Sequence, residues 1–590
     1  MIQSNLIRLF EDSIRMNWDR PAMSDYGHAR VYTYGDVAER IEKIHLILRQ
    51  AGIEKNDRVA LIGKNSSNWA MTYVATVTYG AIVVPILQDF KPGDVTHIVN
   101  HSESKLIFAG DPLWEQLDIH AMKGLIAAIS VNDFSVLAVQ TRQQTKEELK
   151  AALKQAKKEQ DNKDLDTDDV AEEIPIMDAS IMSPETIDQL FAEKYQGNFH
   201  RDLVRYDYKD NSEIASINYT SGTTGFSKGV VTPLNALAGN VSFGLSTKIA
   251  FPGSRFVCFL PLAHAYGCAF DFLSNFCAGG YTCYYGRPLA AQILLRAFAE
   301  VKPTTIFTVP LIIEKIYKKM IQPLLEDPTK SWVLSVPLMK DAVLMTIRKR
   351  LIKAFGGEFT QMIIGGAALN ADVEAFFHKI KFPFTVGYGM TECAPLISFA
   401  PYNEFIPNSC GRVLPLMQAR IANPNEQGVG EIEVTGENVM RGYYKNEEAT
   451  ALTFSEDGWL KTGDLGVIDE NGNIFIKGRN KTMLLGPSGQ NIYPEELEDK
   501  LNNMPYVLES LVMQREDKIV ALVYPDMEAA DANKMTQEQI RQRMEQNRKL
   551  VNAQLAAYEQ IHEIRIYPHE FEKTPKKSIK RYLYNANMGE

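Results

Sequence analysis

Short apolar runs alternate with longer amphipathic segments along the N-terminal part of the chain. The runs Arg58–Ile62 and Lys105–Ala109 predict buried strands, and Ser67–Tyr79 predicts a helix between them. Strands separated by helices pair in parallel, because the chain must cross back over the sheet before the next strand begins. The pattern therefore predicts an α/β fold with mostly parallel sheets.

One apolar segment, Ala70–Leu87, carries no charge and approaches the length of a membrane-spanning helix. Gly80 and Pro85 interrupt it, and several threonines make it more polar than a lipid-facing helix. We therefore expect a buried helix that breaks at Gly80 and continues as a strand at Ala81–Ile86.

The pattern changes near Lys481, and we place a domain boundary there. A large N-terminal domain of several subdomains is expected over residues 1–480, and a small α+β domain over 482–590. The small domain carries two predicted helices and two predicted strands: Glu495–Leu501, Gln537–Ala557, Ile519–Val523 and Glu563–Tyr567.

Residues 141–200 interrupt the α/β pattern. An exposed helix is expected over Thr145–Lys158, and the acidic stretch Asp161–Glu173 has almost no apolar residues. We interpret the region as an insertion, either a solvated excursion, which we favour, or a docking arm.

The length of the chain and its net charge argue against some classes of function. With 590 residues the chain is too long for one core, and its net charge of −10 argues against nucleic acid as a partner. Six cysteines without a Cys-x-x-Cys pair, and an N-terminus without a long apolar stretch, favour reduced thiols and a cytoplasmic location.

The densest chemical signal is the segment Tyr219–Gly229, which follows the predicted strand Ile214–Asn218. Its glycines allow a sharp turn and close approach of the backbone to a ligand. Its hydroxyls and Lys228 supply donors and positive charge for phosphate. The spacing differs from that of the Gly-x-x-x-x-Gly-Lys loop.

Two further predicted strands end in glycine-bearing loops. Phe359–Ile364 leads into Gly365 and Gly366, and Phe382–Val386 leads into the loop 387–392. Asn370 is expected to cap a helix that runs to about Ile380. Strand ends of this kind are where α/β proteins bind ligands.

These motifs, in this order, resemble the adenylate-forming superfamily, and within it the long-chain fatty acid–CoA ligases. The similar segments are the phosphate loop Tyr219–Gly229, the His-containing Phe259–Tyr266, Gly365–Leu369, Tyr388–Glu392, Gly458–Asp464 and the hinge Gly478–Lys481. They span about 260 residues, and the region 141–200 falls outside the resemblance.

The resemblance implies a site residue by residue. Phosphates of ATP would be bound by Thr220, Ser221, Gly222, Thr223, Thr224, Gly225 and Lys228, with Thr391 at the α-phosphate and Glu392 as the Mg²⁺ ligand. Adenosine would lie against Gly366, Ala367, Tyr388, Asp464 and Arg479. His264 would border the acyl channel, either as a gate or as a structural histidine. The small domain would be mobile about Lys481, and Gly489 would admit the pantetheine of coenzyme A.

The C-terminal lysine motif departs from the family. Thr574–Arg581 reads Thr-Pro-Lys-Lys-Ser-Ile-Lys-Arg, so an ungapped match puts Ser578 where the adenylation lysine stands. Lys577 is the candidate replacement. The phosphate loop also differs, since Ser227 replaces the family's proline.

The resemblance implies an AMP-forming ligase that joins a fatty acid to coenzyme A. An acyl-carrier-protein ligase and an adenylate-binding relative with impaired adenylation remain open alternatives. An amino-acid-activating domain would need an acid near Tyr266, and Asp271 lies five residues on. A homodimer and peripheral contact with the inner face of a membrane are also left open.

Overall fold

The computed structural model describes residues 4–140, 178–220, 228–322, 337–485, 491–515, 518–574, 579–585 and 588. The predicted helix over 145–158 and the acidic stretch over 161–173 lie outside these residues.

The α-helices of the described residues are numbered here in chain order. They are α1 Leu6–Met16, α2 Tyr34–Gln50, α3 Ser67–Tyr79, α4 Pro92–Ser102, α5 Asp111–Trp114, α6 Pro184–Tyr195, α7 Leu234–Ser246, α8 Asn275–Cys277, α9 Ala291–Val301, α10 Pro310–Ile316, α11 Pro337–Ala354, α12 Ala371–Lys379, α13 Glu447–Thr453, α14 Pro494–Asn502, α15 Met527–Ala532 and α16 Gln537–Asn552. Two π-helical segments cover Gly267–Ser274 and Tyr317–Ile321. Short 3-10 turns cover Ile119–Ala121, Ala179–Met182, Arg201–Leu203, Thr391–Cys393, Ala557–Glu559 and Arg581–Leu583.

The strands are numbered in the same way. They are β1 Pro21–Asp25, β2 Val31–Thr33, β3 Arg58–Ile62, β4 Ile82–Ile86, β5 Ser104–Ala109, β6 Ala127–Ser130, β7 Val136–Val139, β8 Ile214–Thr220, β9 Lys228–Pro233, β10 Arg255–Cys258, β11 Tyr281–Tyr284, β12 Thr305–Thr308, β13 Gln361–Ile364, β14 Phe384–Val386, β15 Tyr388–Gly389, β16 Leu396–Phe399, β17 Arg412–Val413, β18 Met417–Ala422, β19 Gly430–Gly436, β20 Gly442–Tyr443, β21 Leu460–Ile468, β22 Ile474–Arg479, β23 Leu484–Leu485, β24 Asn491–Ile492, β25 Val507–Arg515, β26 Lys518–Pro525 and β27 Ile561–Ile566.

The chain divides into two compact units. The first contains residues 1–220, 227–305 and 440–445, and the second contains 221–226, 306–439 and 446–590. The predicted boundary at Lys481 lies inside the second unit and stays a prediction.

The first unit is built on an eight-stranded sheet in the order β20-β9-β8-β4-β3-β5-β6-β7. Its middle strands β8, β4, β3, β5 and β6 run parallel, and the antiparallel strands lie towards its two edges. Side chains from β3, β4 and β8 pack with those of α4 in one apolar core. A smaller sheet, β10-β11-β1-β2, completes the unit.

The second unit contains several smaller sheets. β13 and β14 pair in parallel, whereas β18, β19, β21 and β22 form an antiparallel sheet. Towards the C-terminus β25, β26 and β27 form a sheet that packs with α14 and α16 around a separate apolar core. The expected α/β fold with mostly parallel sheets is confirmed.

The apolar segment Ala70–Leu87 folds as predicted. Helix α3 ends at Gly80, which takes a left-handed backbone (φ +94°), and β4 follows as a fully buried strand. No helix in the described ranges is long and apolar enough to span a membrane. The capping prediction is also confirmed, since the Asn370 side chain accepts hydrogen bonds from the backbone N–H groups of Asp372 and Val373.

One boundary prediction is wrong. Helix α16 ends at Asn552 rather than Ala557, because the Asn552 side chain bonds both backbone groups of Ile561 and turns the chain into β27. The interpretation of residues 141–200 as an insertion stays a prediction, and at the C-terminal end of this range α6 packs on α2. Lys43 contacts Asp188 there, and Ile187 is buried.

We expect Gly80→Ala to destabilise the protein by about 1–2 kcal/mol, because a Cβ disfavours the left-handed backbone. Its nearest neighbours, the Lys55 and Lys209 side chains, stand at ordinary contact distance, so the loss reflects the backbone. The urea midpoint of unfolding measures the effect.

Gly93→Ala is the matched control. Gly93 lies in the first turn of α4, and a Cβ there meets nothing within 4 Å. This variant should leave the midpoint unchanged or raise it, since alanine favours helix more than glycine does. Equal losses in the two variants would contradict the argument.

Candidate functional site

The predicted phosphate loop connects two antiparallel strands of the first unit. The last register pair of β8 and β9 is Thr220 with Lys228, so residues 221–227 form the connection. Of the predicted phosphate ligands, Thr220 and Lys228 are described. Ser221, Gly222, Thr223, Thr224 and Gly225 lie outside the described residues.

The strand that enters the loop is held through Tyr219. Its hydroxyl lies 2.7 Å from Nδ1 of His101, which belongs to α4. Burial raises the pKa of the Tyr219 phenol and lowers the pKa of the His101 imidazole, which His97 and Lys445 lower further. Both groups are therefore neutral near pH 7, and the hydrogen bond between them joins two uncharged side chains.

The strand that leaves the loop is held by β20. Tyr443 pairs with Val230, and the backbone N–H of Tyr444 donates to the carbonyl oxygen of Gly229 at 2.7 Å. The Lys228 ammonium lies 4.8 Å from the centre of the Tyr443 ring, within cation–π range. Both ends of the loop thus start from fixed positions.

Gly229 allows the two strands to pack closely. A Cβ at this position would stand 2.9 Å from the Ile217 side chain and 3.1 Å from the Tyr219 ring.

The sequence motifs assign Tyr219 no role of its own. Its contact with His101 could not be read from spacing, because the two residues lie 118 positions apart.

His264, also in the first unit, lies three residues before the π-helical segment that begins at Gly267. The backbone N–H of Tyr266 donates to its Nδ1 at 3.3 Å, and its own carbonyl accepts from Cys268. The imidazole is half-buried. These contacts give His264 a part in shaping the turn, while its place beside an acyl channel stays a prediction.

In the second unit, the predicted adenosine residues Gly366 and Ala367 follow β13 and are exposed. Gly366 takes a left-handed backbone (φ +89°), which glycine adopts without strain. The Gly365 N–H donates to the Thr308 carbonyl and joins this turn to β12. The exposed loop leaves room for a flat ligand.

Asp464, Arg479 and Tyr388 come together in the same unit. Asp464 faces Arg479 across the β21–β22 pair, with Nε of the arginine 3.2 Å from Oδ1. The Tyr388 hydroxyl donates to Oδ2 at 2.7 Å. Tyr388 and Asp464 are each only 7% exposed. The motifs predicted Tyr388 as an adenine-stacking ring, but they gave no sign of its hydrogen bond to Asp464.

Burial changes the pKa of the Asp464 carboxyl. It raises the pKa of this carboxyl above its usual range, although the Arg479 guanidinium and the Tyr388 hydroxyl oppose the rise. An ionised Asp464 still has lone pairs for two further donors. A vicinal diol such as ribose supplies two such donors.

Thr391 and Glu392 form a short 3-10 turn after β15. Thr391 is buried and Glu392 is half-buried. The described residues contain no group of three or more His, Cys, Asp or Glu that could hold a metal by itself. A single carboxylate nevertheless suits Mg²⁺ that arrives with substrate phosphates, since this ion is usually held by one or two carboxylates and water.

The predicted hinge residue Lys481 is exposed in the turn that follows β22. The Thr482 and Met483 N–H groups both donate to the Arg479 carbonyl, which closes this turn. Gly489 and Lys577, the two remaining predicted residues, lie outside the described residues.

One set of contacts in the second unit was missed. The Lys318 ammonium donates to the Asn502 carbonyl at 2.7 Å, and the Asn370 amide donates to Asp499 and Asn503. Burial lowers the pKa of Lys318 and raises the pKa of Asp499. We call these five residues the 318–503 contact. It joins α14 to residues that precede the predicted hinge by more than a hundred positions.

Comparison with known proteins identifies the family. The model of the AMP-binding enzyme family matches residues 10–444, and the model of its C-terminal domain matches residues 482–588. The second match begins one residue after Lys481.

Curated relatives match along most of the chain. A protein of Mycobacterium bovis named long-chain-fatty-acid–CoA ligase FadD15 is 26% identical, over 93% of this chain and 89% of its own length. Long-chain-fatty-acid–CoA ligase 4 of Saccharomyces cerevisiae is also 26% identical, over 84% of this chain and 72% of its own. Among solved structures, ATP-bound MatB from Rhodopseudomonas palustris superposes with a TM-score of 0.70 at 22% identity over 98% of each chain, and so supports the fold.

We expect adenosine binding to weaken as the pH falls through the raised pKa of Asp464, because the protonated carboxyl has lost acceptor capacity. The raised pKa means that ionisation is complete only above the ordinary value of 3.8. Calorimetric titration with adenosine over a series of pH values downward from pH 7 measures the change. Adenosine avoids the phosphate of AMP, which itself titrates near ~6.

Asp464→Asn should bind adenosine more weakly at pH 7 and lose the pH dependence. Tyr388→Phe is a matched variant that keeps the ring and removes the hydrogen bond. It should weaken binding by about tenfold or less, the range of one hydrogen bond. An unchanged pH profile in Asp464→Asn would contradict the role of this carboxylate.

Proposed function

Because the chain belongs to the AMP-binding enzyme family, we propose that it is a long-chain fatty acid–CoA ligase. A fatty carboxylate attacks the α-phosphorus of ATP and expels pyrophosphate, and the thiol of coenzyme A then displaces AMP from the acyl-adenylate. The observation that carries the proposal is the likeness to curated long-chain fatty acid–CoA ligases along nearly the whole chain.

The first step brings two anions together, so it needs positive charge and donors. Lys228 and Thr220 lie at the two ends of the proposed phosphate loop, and Tyr219 and Tyr443 hold the strands from which they project. Thr391 donates to the α-phosphate in this proposal. Fixed donors lower the barrier because they need not reorganise when charge develops.

The nucleoside is held in the second unit. In this proposal Asp464 accepts from both ribose hydroxyls, Arg479 fixes the carboxylate in place, and adenine lies between the Tyr388 ring and the turn at Gly366. Glu392 would hold Mg²⁺, which neutralises phosphate charge when bound. The half-burial of Glu392 beside Thr391 supports this assignment.

The second step is proposed to require movement of residues 482–590 about Lys481. The exposed turn at Lys481 and the start of the C-terminal family model at residue 482 support this boundary. Gly489 would then let the pantetheine arm pass close to the backbone. Six unpaired cysteines support a cytoplasmic setting.

In an ungapped match, Ser578 stands at the position of the family's adenylation lysine. We propose that Lys577 takes over the role of that lysine. The test measures AMP release by the purified protein with fatty acids of graded length, each with and without coenzyme A. AMP formation that needs both substrates is expected, with a preference for long chains. Lys577→Ala should lower the rate of adenylation by about 100-fold, as loss of one transition-state donor does.

Lys576→Ala is the neighbouring control and should stay within about twofold of the natural protein. A Ser578→Lys variant separates the remaining cases. Activity only in Ser578→Lys would mean that the natural chain binds adenylate without forming it. If natural protein and variant both stay inactive with every fatty acid, the proposal is overturned.

We further expect Tyr219→Phe to raise the KM for ATP by about three- to tenfold and to leave kcat within twofold. The lost hydrogen bond to His101 loosens the strand that enters the loop, and one such bond contributes about 0.5–1.5 kcal/mol. Tyr444→Phe keeps the ring beside His101 and the backbone bond to Gly229, and should leave both constants unchanged. Equal effects in the two variants would contradict a specific role for Tyr219.

A further inference from the structure

Helix α11 has two different faces over the residues whose side chains are described. Leu344, Ile347 and Leu351 are buried and recur at helical spacing, so this face packs against the body of the second unit. The opposite face must be solvent-exposed.

That exposed face carries positive charge around one apolar residue. Met345, Lys349 and Lys353 follow each other at intervals of four, and Arg350 lies beside them. Met345 is 56% exposed, so an apolar side chain stands among these cations. A face of this composition is amphipathic in its own right.

The end of α12 enlarges the cationic area. The Nε atom of Arg348 donates to the Lys381 carbonyl at 2.9 Å, which brings the C-terminal turn of α12 beside α11. Lys379 and Lys381 are both exposed there. We call the residues Met345, Arg348, Lys349, Arg350, Lys353, Lys379 and Lys381 the basic face.

The cations of the basic face lack acidic partners. Within the described ranges no carboxylate lies in ion-pair distance of these side chains. Asp341 lies one turn before Met345 in the same row of the helix, and Glu374, five residues before Lys379, contacts His378 instead. Helix α16 provides a contrast, since its Arg548 and Lys549 both contact Glu545. The basic face is therefore a local concentration of unpaired positive charge in a chain of net charge −10.

We propose that the basic face binds an anionic phospholipid surface. Unpaired lysines and arginines are attracted to negatively charged headgroups, and an exposed methionine among them adds an apolar contact with the acyl region. The choice of lipid over an acidic protein rests on the proposed function, because a fatty acid substrate partitions into bilayers. Docking there would place the enzyme at the surface that holds its substrate.

Co-sedimentation of the full chain with vesicles tests this inference. Vesicles of phosphatidylcholine with about one third phosphatidylglycerol should bind the protein, and pure phosphatidylcholine vesicles should not. Binding should weaken with added salt, since screening acts on exposed charges. The triple variant Lys349→Glu/Arg350→Glu/Lys353→Glu should lower the partition coefficient at least about tenfold.

A matched control carries Lys91→Glu, Lys123→Glu and Lys549→Glu. These three lysines are exposed and scattered, and the change in net charge is the same. The control should bind vesicles as the natural protein does, and thermal unfolding checks that both triple variants are folded. Equal losses in both would overturn the inference, because net charge alone would then explain binding.

Two other outcomes also overturn the inference: no binding to anionic vesicles at low salt, and binding of polyglutamate without binding of vesicles, which would indicate an acidic protein partner. Ligase activity on detergent-dispersed fatty acid is measured in parallel. Ligase activity without vesicle binding would reject only the proposal that the basic face binds lipid. Vesicle binding without ligase activity would reject only the proposed function.

Discussion

The position of β8 is the constraint on which the first unit depends. This strand pairs in parallel with β4 on one side and antiparallel with β9 on the other. It therefore joins the buried centre of the sheet to the hairpin that carries the proposed phosphate loop. Because its middle is locked in the apolar core, the end at Tyr219 has little freedom, and the polar contacts of His101 and Tyr443 act on an already fixed frame.

Local signals in the sequence predicted much of this framework. The span of α3, the break at Gly80 and the cap at Asn370 follow from patterns contained within a few residues. The end of α16 did not, because it depends on a hydrogen bond between Asn552 and the backbone of Ile561, which only the tertiary fold brings together. The helical pattern up to Ala557 gives no sign of this contact, which Asn552 makes nine residues further along the chain.

The residues of the candidate site were likewise predicted from local motifs, whereas the contacts between them were not. Motifs located Asp464, Arg479 and Tyr388, but not the hydrogen bond that links Tyr388 to Asp464 across 76 positions. The same holds for His101, which no motif contains. A motif shows only which residue types follow one another along the sequence. A pKa shift such as that of Asp464 instead arises from burial and from neighbours that are remote in sequence.

The 318–503 contact bears on how such chains can be recombined. Lys318 and Asn370 bond to backbone and side-chain atoms of a segment that the C-terminal family model covers. A chimera that takes residues 482–588 from a relative would place foreign side chains opposite these two. The backbone carbonyls that accept from Lys318 would remain, but the side-chain oxygens of Asp499 and Asn503 would be lost wherever the relative carries other residues. The buried Asn370 amide would then be left without these acceptors, which is unfavourable. An exchange of residues 482–588 in this chain should therefore keep hydrogen-bond acceptors at positions 499 and 503.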